Sequence, residues 1–425
     1  MSLSRRDFIK WASASAALAS LGGCATPRGG KTAGRVVVIG GGYSGATAAK
    51  YLRLWSPDID VSLVERNPVF VSCPLSNLVI GGSKSIADLT RGYDTLSDKY
   101  GVKRVQGEAV AVDPAKRTVR LADGGILSYD RLIVAPGIDF MFEAVPSLND
   151  AEAQDRILHA WKAGPQTTAL RRQLEAMPDG GIYALHIPKV PYRCPPGPYE
   201  RACQVAHYFK TAKPRSKVLI LDANEDVQSK KGLFMKAWSD RYKGIVEYRP
   251  HSELADVDVK NRVAKLTFED VKADVLNVVP PQRAGKIADL AGLVTANQRW
   301  CEVDFLSFES KAQPNIHVLG DAILAAPAMP KSGHMANQHA KVCAAAVAAL
   351  LHGQPVFDQP VVTNTCYSFI DDRETVHVAS VHRYDPEQKA LVTVPGSGGL
   401  SGAASEMEGQ YAFAWAKNIW SDMLG

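Results

Sequence analysis

Four consecutive β-branched residues, Val36-Val37-Val38-Ile39, run into Gly40-Gly41-Gly42-Tyr43-Ser44-Gly45 and then into Ala46-Thr47-Ala48-Ala49-Lys50-Tyr51-Leu52. An unbroken apolar run closed by glycine predicts a strand buried on both faces, and the alanine-rich stretch predicts a helix packed close to it. A second run, Val61-Ser62-Leu63-Val64, predicts the next strand and ends at Glu65. Two further strands are expected at Tyr129 to Val134, ending in Ala135-Pro136-Gly137, and at Asn315 to Leu319, ending in Gly320-Asp321. Between them, Gly181 to His186 and Lys217 to Asp222 predict two strands of another sheet, separated by a helix from about Tyr199 to Thr211. An alanine-rich helix follows from Met335 to Leu351, and a strand carrying Cys366 opens the last segment.

This alternation of strand and helix predicts an α/β protein with two Rossmann-like dinucleotide-binding-type domains, the first discontinuous, and a small C-terminal α+β domain. The boundaries expected are 1–30 for a signal and linker, 31–142 with 271–350 for the first domain, 143–270 for the inserted one and 351–425 for the last. Gly40, Gly42 and Gly45 have the G-x-G-x-x-G spacing, with Glu65 twenty residues after the last glycine. In a strand, turn, helix, strand unit the first glycine permits the tight turn. The second lets backbone approach a pyrophosphate, the third allows close helix packing, and the acid takes ribose hydroxyls. The three strand ends together resemble the fingerprints of two-dinucleotide-domain flavoproteins related to glutathione reductase. That resemblance implies FAD, with Ala135, Gly137 and Gly320 at its turns and Asp321 on the ribityl chain. It also places the helix that begins after Lys331 and Ser332 with its positive end toward the flavin. The inserted domain lacks such a turn, because its first strand leads into Pro188-Lys189-Val190-Pro191-Tyr192-Arg193-Cys194-Pro195-Pro196-Gly197-Pro198. Prolines offer no backbone donor to a phosphate, so no nicotinamide site is expected there.

Charge changes the picture little. The formal +5 falls to +3 without the first 23 residues, which carry Arg5, Arg6 and Lys10 against Asp7, and no basic run suggests nucleic acid. Ser4-Arg5-Arg6-Asp7-Phe8-Ile9-Lys10 before the small-residue run Trp11 to Leu21 resembles a twin-arginine export signal, which implies a periplasmic product. Cleavage is expected near Ala25. Leu21-Gly22-Gly23-Cys24 also has the form of a lipoprotein cleavage box, which would put a lipid anchor on Cys24. No apolar run of about eighteen residues predicts a transmembrane span.

The seven cysteines, at 24, 73, 194, 203, 301, 343 and 366, include no Cys-x-x-Cys pair. This excludes a thioredoxin-type dithiol, a zinc ribbon and a c-type haem attached to this chain, so no metal site is expected and any haem belongs to a partner. Several segments carry a closer resemblance: Cys73-Pro74-Leu75-Ser76-Asn77, Ala160-Trp161-Lys162-Ala163-Gly164, Arg193-Cys194-Pro195-Pro196-Gly197-Pro198-Tyr199-Glu200-Arg201, Pro280-Pro281-Gln282-Arg283-Ala284-Gly285-Lys286 and Asn364-Thr365-Cys366-Tyr367-Ser368. With the glycine turn, they make the chain similar to the flavoprotein subunit of flavocytochrome c sulfide dehydrogenase over nearly its whole length after the signal.

The resemblance implies a role for each of three cysteines. Cys73 matches the residue that binds the FAD 8α-methyl group as a thioether, although Pro74 stands where some relatives have an aromatic residue. Cys194 and Cys366 match a redox-active disulfide above the flavin, and Glu200 becomes the acid/base for sulfide and thiol protons. Cys203 is expected to be a buried small hydrophobe, and Cys301 and Cys343 to be silent. The implied activity is oxidation of sulfide to persulfide or polysulfide sulfur, with electrons passed to a c-type cytochrome subunit. Two other readings stay open at this point. One is a sulfide:quinone oxidoreductase that uses Tyr411 to Leu424 as a membrane-surface helix. The other is a non-catalytic flavoprotein accessory of a sulfur-oxidising complex.

Overall fold

The computed structural model describes residues 32–425, so the twin-arginine segment and Cys24 lie outside the described residues. The strand Gly34–Ile39 is central because its side chains are apolar on both faces; Val36, Val37 and Val38 are each no more than 2% exposed. It pairs in parallel with Ile59–Glu65 on one side and Arg131–Val134 on the other. Ile316–Val318 and Lys103–Gln106 complete a five-stranded parallel sheet. Gly40, Ala135 and Gly320 stand just beyond the carboxyl ends of three neighbouring strands, where ligands of open α/β sheets bind. The helices Tyr43–Trp55 and Gly333–Leu351 pack against each other, and both bury alanines that let their backbones come close.

A second parallel sheet has the order Val246–Arg249, Lys217–Asp222, Ile182–Ile187, Val275–Val278. Its last strand lies past the boundary expected at 270. Val275–Val278 is buried at every position and pairs with Ile182–Ile187, so the chain returns to the first sheet only beyond it. The inserted part is therefore Rossmann-like, as expected. Its first strand leads through residues 188–196 into the helix Gly197–Ala212, which starts two residues earlier than its sequence suggested.

The last segment is an antiparallel sheet followed by one long helix. Val361–Phe369 pairs with Thr375–Asp385, placing Cys366 opposite Val378, and Ala390–Thr393 and Gly399–Leu400 pair with the same strand. The helix Glu406–Leu424 buries Ala412, Ala416, Ile419, Trp420, Met423 and Leu424. Among the described residues no helix is long and apolar enough to cross a membrane.

Candidate active site

The three strand ends open into a cavity of about 690 Å³, within the usual range for small-molecule and cofactor sites. Its floor explains the glycines. A Cβ on Gly40 would lie 2.3 Å from the Ala135 carbonyl oxygen, and one on Gly45 would lie 1.8 Å from the Gly40 carbonyl oxygen. Gly40 also has φ +98, which favours glycine. A Cβ on Gly42 would meet no protein atom within 4 Å, so that side of the turn faces open space. Glu65, at the end of its strand, accepts hydrogen bonds from the Gly41 N–H at 2.7 Å and from the backbone and side chain of Asn67 at 2.8 and 2.7 Å.

Across the cavity, Asp321 follows Gly320, whose φ is +71. Asp321 Oδ1 is buried with no hydrogen-bond partner, and so is Trp161 Nε1, which lines the same cavity. Buried polar atoms are rarely left unpaired, so both mark places where a polar ligand belongs. A glycine cradle, a carboxylate lining the cavity at the end of the next strand, a cavity of this volume and two orphaned polar atoms together fit FAD. Ser332 caps the helix Gly333–Leu351 by accepting from the Met335 N–H at 3.0 Å, and its hydroxyl donates to Asn364 Oδ1 at 2.6 Å. Lys331, expected at the cofactor site, lines the cavity. Its ammonium donates to the carbonyls of Asp321 and Ile323 and lies 3.7 Å from the centre of the Trp300 ring. It thus braces the Asp321 turn, and burial pulls its pKa down to about 8.

Cys194 and Cys366 reach the same cavity from distant segments. Cys194 adopts φ +57, and its N–H is held by the Lys331 carbonyl at 2.8 Å. Cys366 comes from the middle of the strand Val361–Phe369. Both are free thiols, close enough for each to shift the pKa of the other. A Cβ on Gly197 would lie 2.9 Å from both Cys194 Sγ and the Trp161 ring, so this glycine lets the three groups close up. Donation to Cys366, then burial and the nearby Glu200 carboxylate, hold the Cys194 thiol well above the ordinary range. Receiving that bond, with the Lys230 ammonium nearby, brings Cys366 down to about 7.

Glu200 sits on the first turn of the helix that follows Cys194 and is buried. It accepts from Asn77 Nδ2 at 2.8 Å and from the Phe369 N–H at 2.8 Å. Burial raises its pKa, and these donors only partly offset the rise. Cys73 lies on another wall of the cavity, where its sulfur accepts from Arg193 at 3.3 Å and from the Ala163 N–H at 3.4 Å. The structure thus gathers around one cavity all the site residues expected from the sequence except Gly45, which packs beneath the turn, and Gly320, which sets up Asp321. Cys203, Cys301 and Cys343 are fully buried, and burial raises all three thiols.

Two residues without an assigned role in the sequence reading stand at this site. Lys230 is buried, and its ammonium donates to the Cys366 carbonyl and the Ser368 hydroxyl, each at 2.7 Å. Arg201 is 1% exposed and donates to Asn77 Oδ1 at 3.1 Å, Asn277 Oδ1 at 2.8 Å and the His159 carbonyl at 2.8 Å. It fixes the Asn77 amide that in turn holds Glu200. Arg201 stood in a quoted motif, whereas Lys230 had no sequence signal, because its contacts are made across the inserted and C-terminal segments.

Comparison with known proteins agrees with this arrangement. The family model "Sulfide dehydrogenase [flavocytochrome c] flavoprotein chain, central" matches residues 167–280. "Flavocytochrome c sulphide dehydrogenase, flavin-binding" matches 358–424, and "Pyridine nucleotide-disulphide oxidoreductase" matches 34–170. A twin-arginine translocation signal model matches 2–22, which supports export to the periplasm. The sulfide dehydrogenase [flavocytochrome c] flavoprotein chain of Chlorobaculum thiosulfatiphilum is 60% identical over 45 residues, 11% of this chain and 94% of that one. The mitochondrial sulfide:quinone oxidoreductase of Mus musculus is 25% identical over 311 residues; these make 67% of this chain and 65%, just under two thirds, of that relative. The solved sulfide:quinone oxidoreductase of Aquifex aeolicus shares the fold, with a TM-score of 0.74 at 18% identity over 92% of this chain and 91% of that one.

Proposed function

Because the chain belongs to the family of flavocytochrome c sulfide dehydrogenase flavoprotein chains, we propose that it oxidises sulfide in the periplasm and passes the electrons to a c-type cytochrome. The observation that carries this reading is the meeting of Cys194 and Cys366 in the cavity that also holds the dinucleotide cradle. In the oxidised protein these two form the working disulfide. Hydrosulfide attacks the Cys194 sulfur, the bond to Cys366 breaks, and its electron pair leaves on Cys366 as thiolate while Cys194 carries the persulfide. The direction follows from Lys230, whose ammonium is held by the Cys366 carbonyl and Ser368, and from the lower pKa of the Cys366 thiol, since the thiol of lower pKa leaves faster. Glu200, held by Asn77 and the Phe369 amide, takes the proton of the incoming sulfide and returns it when sulfur departs.

FAD, when bound, supplies an acceptor that takes an electron pair and releases electrons singly. Gly40, Gly42 and Glu65 would hold its adenosine and pyrophosphate, Asp321 its ribityl chain, and Cys73 would tether it covalently. Lipid on Cys24 remains part of the same reading as the alternative to simple signal cleavage. Limiting sulfide added anaerobically, followed by rapid alkylation and peptide mass spectrometry, tests the scheme. A sulfane sulfur on the Cys194 peptide is expected, and a product bearing none on either cysteine would contradict it.

A further inference from the structure

Cys73 Sγ has two donors on it, Arg193 Nη2 at 3.3 Å and the Ala163 N–H at 3.4 Å. Arg193 is not a loose surface cation. Its side chain is 15% exposed, its other amino group is 3.9 Å from the Asp321 carboxylate, and Nη2 also reaches the Trp161 carbonyl. Its own N–H is bound by Gln282 Oε1 at 3.0 Å, and the next residue is Cys194. The Asp321 carboxylate is beyond hydrogen-bond range, so the Cys73 sulfur is the side-chain partner that this half-buried guanidinium actually reaches.

Resting on the reading of Cys73 as the flavin tether, we propose that Arg193 is the positioning residue for covalent attachment of FAD. With the Ala163 amide it aims the Cys73 sulfur and offsets the negative charge it carries as it attacks the 8α-methyl carbon. The attachment replaces one methyl C–H bond by a C–S bond. The methyl proton goes to solvent, the electron pair stays on the flavin ring, and dioxygen removes it. Because Arg193 adjoins Cys194, one loop aims the tether and positions the redox pair. The sulfur is therefore aimed only once residues 188–196 have folded against Lys331 and Gln282.

The test compares the full-length chain with R193Q and R193K, each incubated with FAD in air. Two readouts are taken over time: total bound flavin and the flavin that survives acid precipitation. Wild type should retain its flavin. R193Q should bind flavin yet tether it at least about tenfold more slowly, the loss expected for one charge-assisted hydrogen bond, with R193K in between. Tethering by R193Q at the wild-type rate would overturn this inference alone. So would equal losses of bound flavin in R193K and R193Q, which mark a purely structural role. Should R193Q fail to accumulate, R193K decides, and a rate at or above wild type overturns the proposal. A wild-type chain that releases all its flavin into acid would overturn the tether reading and this inference with it.

Discussion

Cys366 and Cys194 are chemically identical residues made unequal first by the hydrogen bond between them and then by their charged neighbours. The ammonium of Lys230 is held beside Cys366 by the Cys366 carbonyl and Ser368, while Glu200 is held by Asn77 and the Phe369 N–H. In the reduced protein this leaves Cys366 the readier thiolate, near pKa 7. Replacing Lys230 by Met removes the cation that favours the anion, so the Cys366 pKa rises. A rise of about one unit lowers the thiolate fraction at pH 7 from about a half to about a tenth. Iodoacetamide labelling of Cys366 in the dithiol form should then slow by roughly fivefold at pH 7 and recover above pH 9. An unchanged rate in K230M would remove Lys230 from the account. That Cys73, Cys194, Cys366 and Glu200 meet at one cavity was legible in the sequence because each sits in a distinctive short motif. Lys230 was not, since its meaning lies in a contact with a strand 136 residues away.

At the scale of elements, the glycine turn was the most legible feature, and its three positions have separable jobs. A methyl group on Gly45 would collide with the Gly40 carbonyl, so G45A must push the helix Tyr43–Trp55 off its sheet whether or not cofactor is present. A methyl group on Gly42 meets only open space. G42A should therefore keep the native melting temperature of the flavin-free chain while weakening FAD binding by at least about tenfold, whereas G45A should lower that melting temperature by several degrees. Thermal denaturation with and without FAD separates them, and equal destabilisation of both flavin-free variants would contradict this division. The proline loop suggested from sequence a poor phosphate site. Its contacts, Arg193 with Cys73 and Cys194 beside Cys366, were hidden because both partners come from other segments. The strand Val275–Val278 was placed on the wrong side of a boundary for a similar reason. Its apolar residues suit either parallel sheet, and only pairing with Ile182–Ile187 decides.

Across the whole molecule, the helix Glu406–Leu424 could be read from sequence as a membrane-surface element or as internal packing. Its contacts favour packing. Lys50 donates to the Ser421 and Gly425 carbonyls, and Asp422 accepts from Tyr51, Asn337 and Lys341. Ala412, Ala416, Ile419, Trp420, Met423 and Leu424 are buried as well, so this side of the helix packs within the protein.

The interior also carries histidines held neutral by burial. His339 is pressed against Phe308 with both ring nitrogens unpaired, and His186 likewise has no hydrogen-bond partner for its ring. Burial lowers their pKa values from 6.5 to about 3 and about 4. The unfolded chain therefore binds protons at these sites below pH 6.5 while the folded chain does not, and stability should fall as pH drops from about 6.5 toward 4. H339L should flatten part of that acid slope in a series of melting temperatures between pH 7 and pH 4.5. A slope unchanged from wild type would show that His339 does not contribute.

The central claim is that sulfide reaches the flavin only through the Cys194 and Cys366 pair. Anaerobic mixing of the flavin-loaded protein with sulfide, followed by absorbance of the oxidised flavin, tests it most directly. The account predicts rapid bleaching in wild type, and in C194S and C366S a protein that stays yellow at the same sulfide concentration. Wild-type bleaching rates in either variant would contradict it.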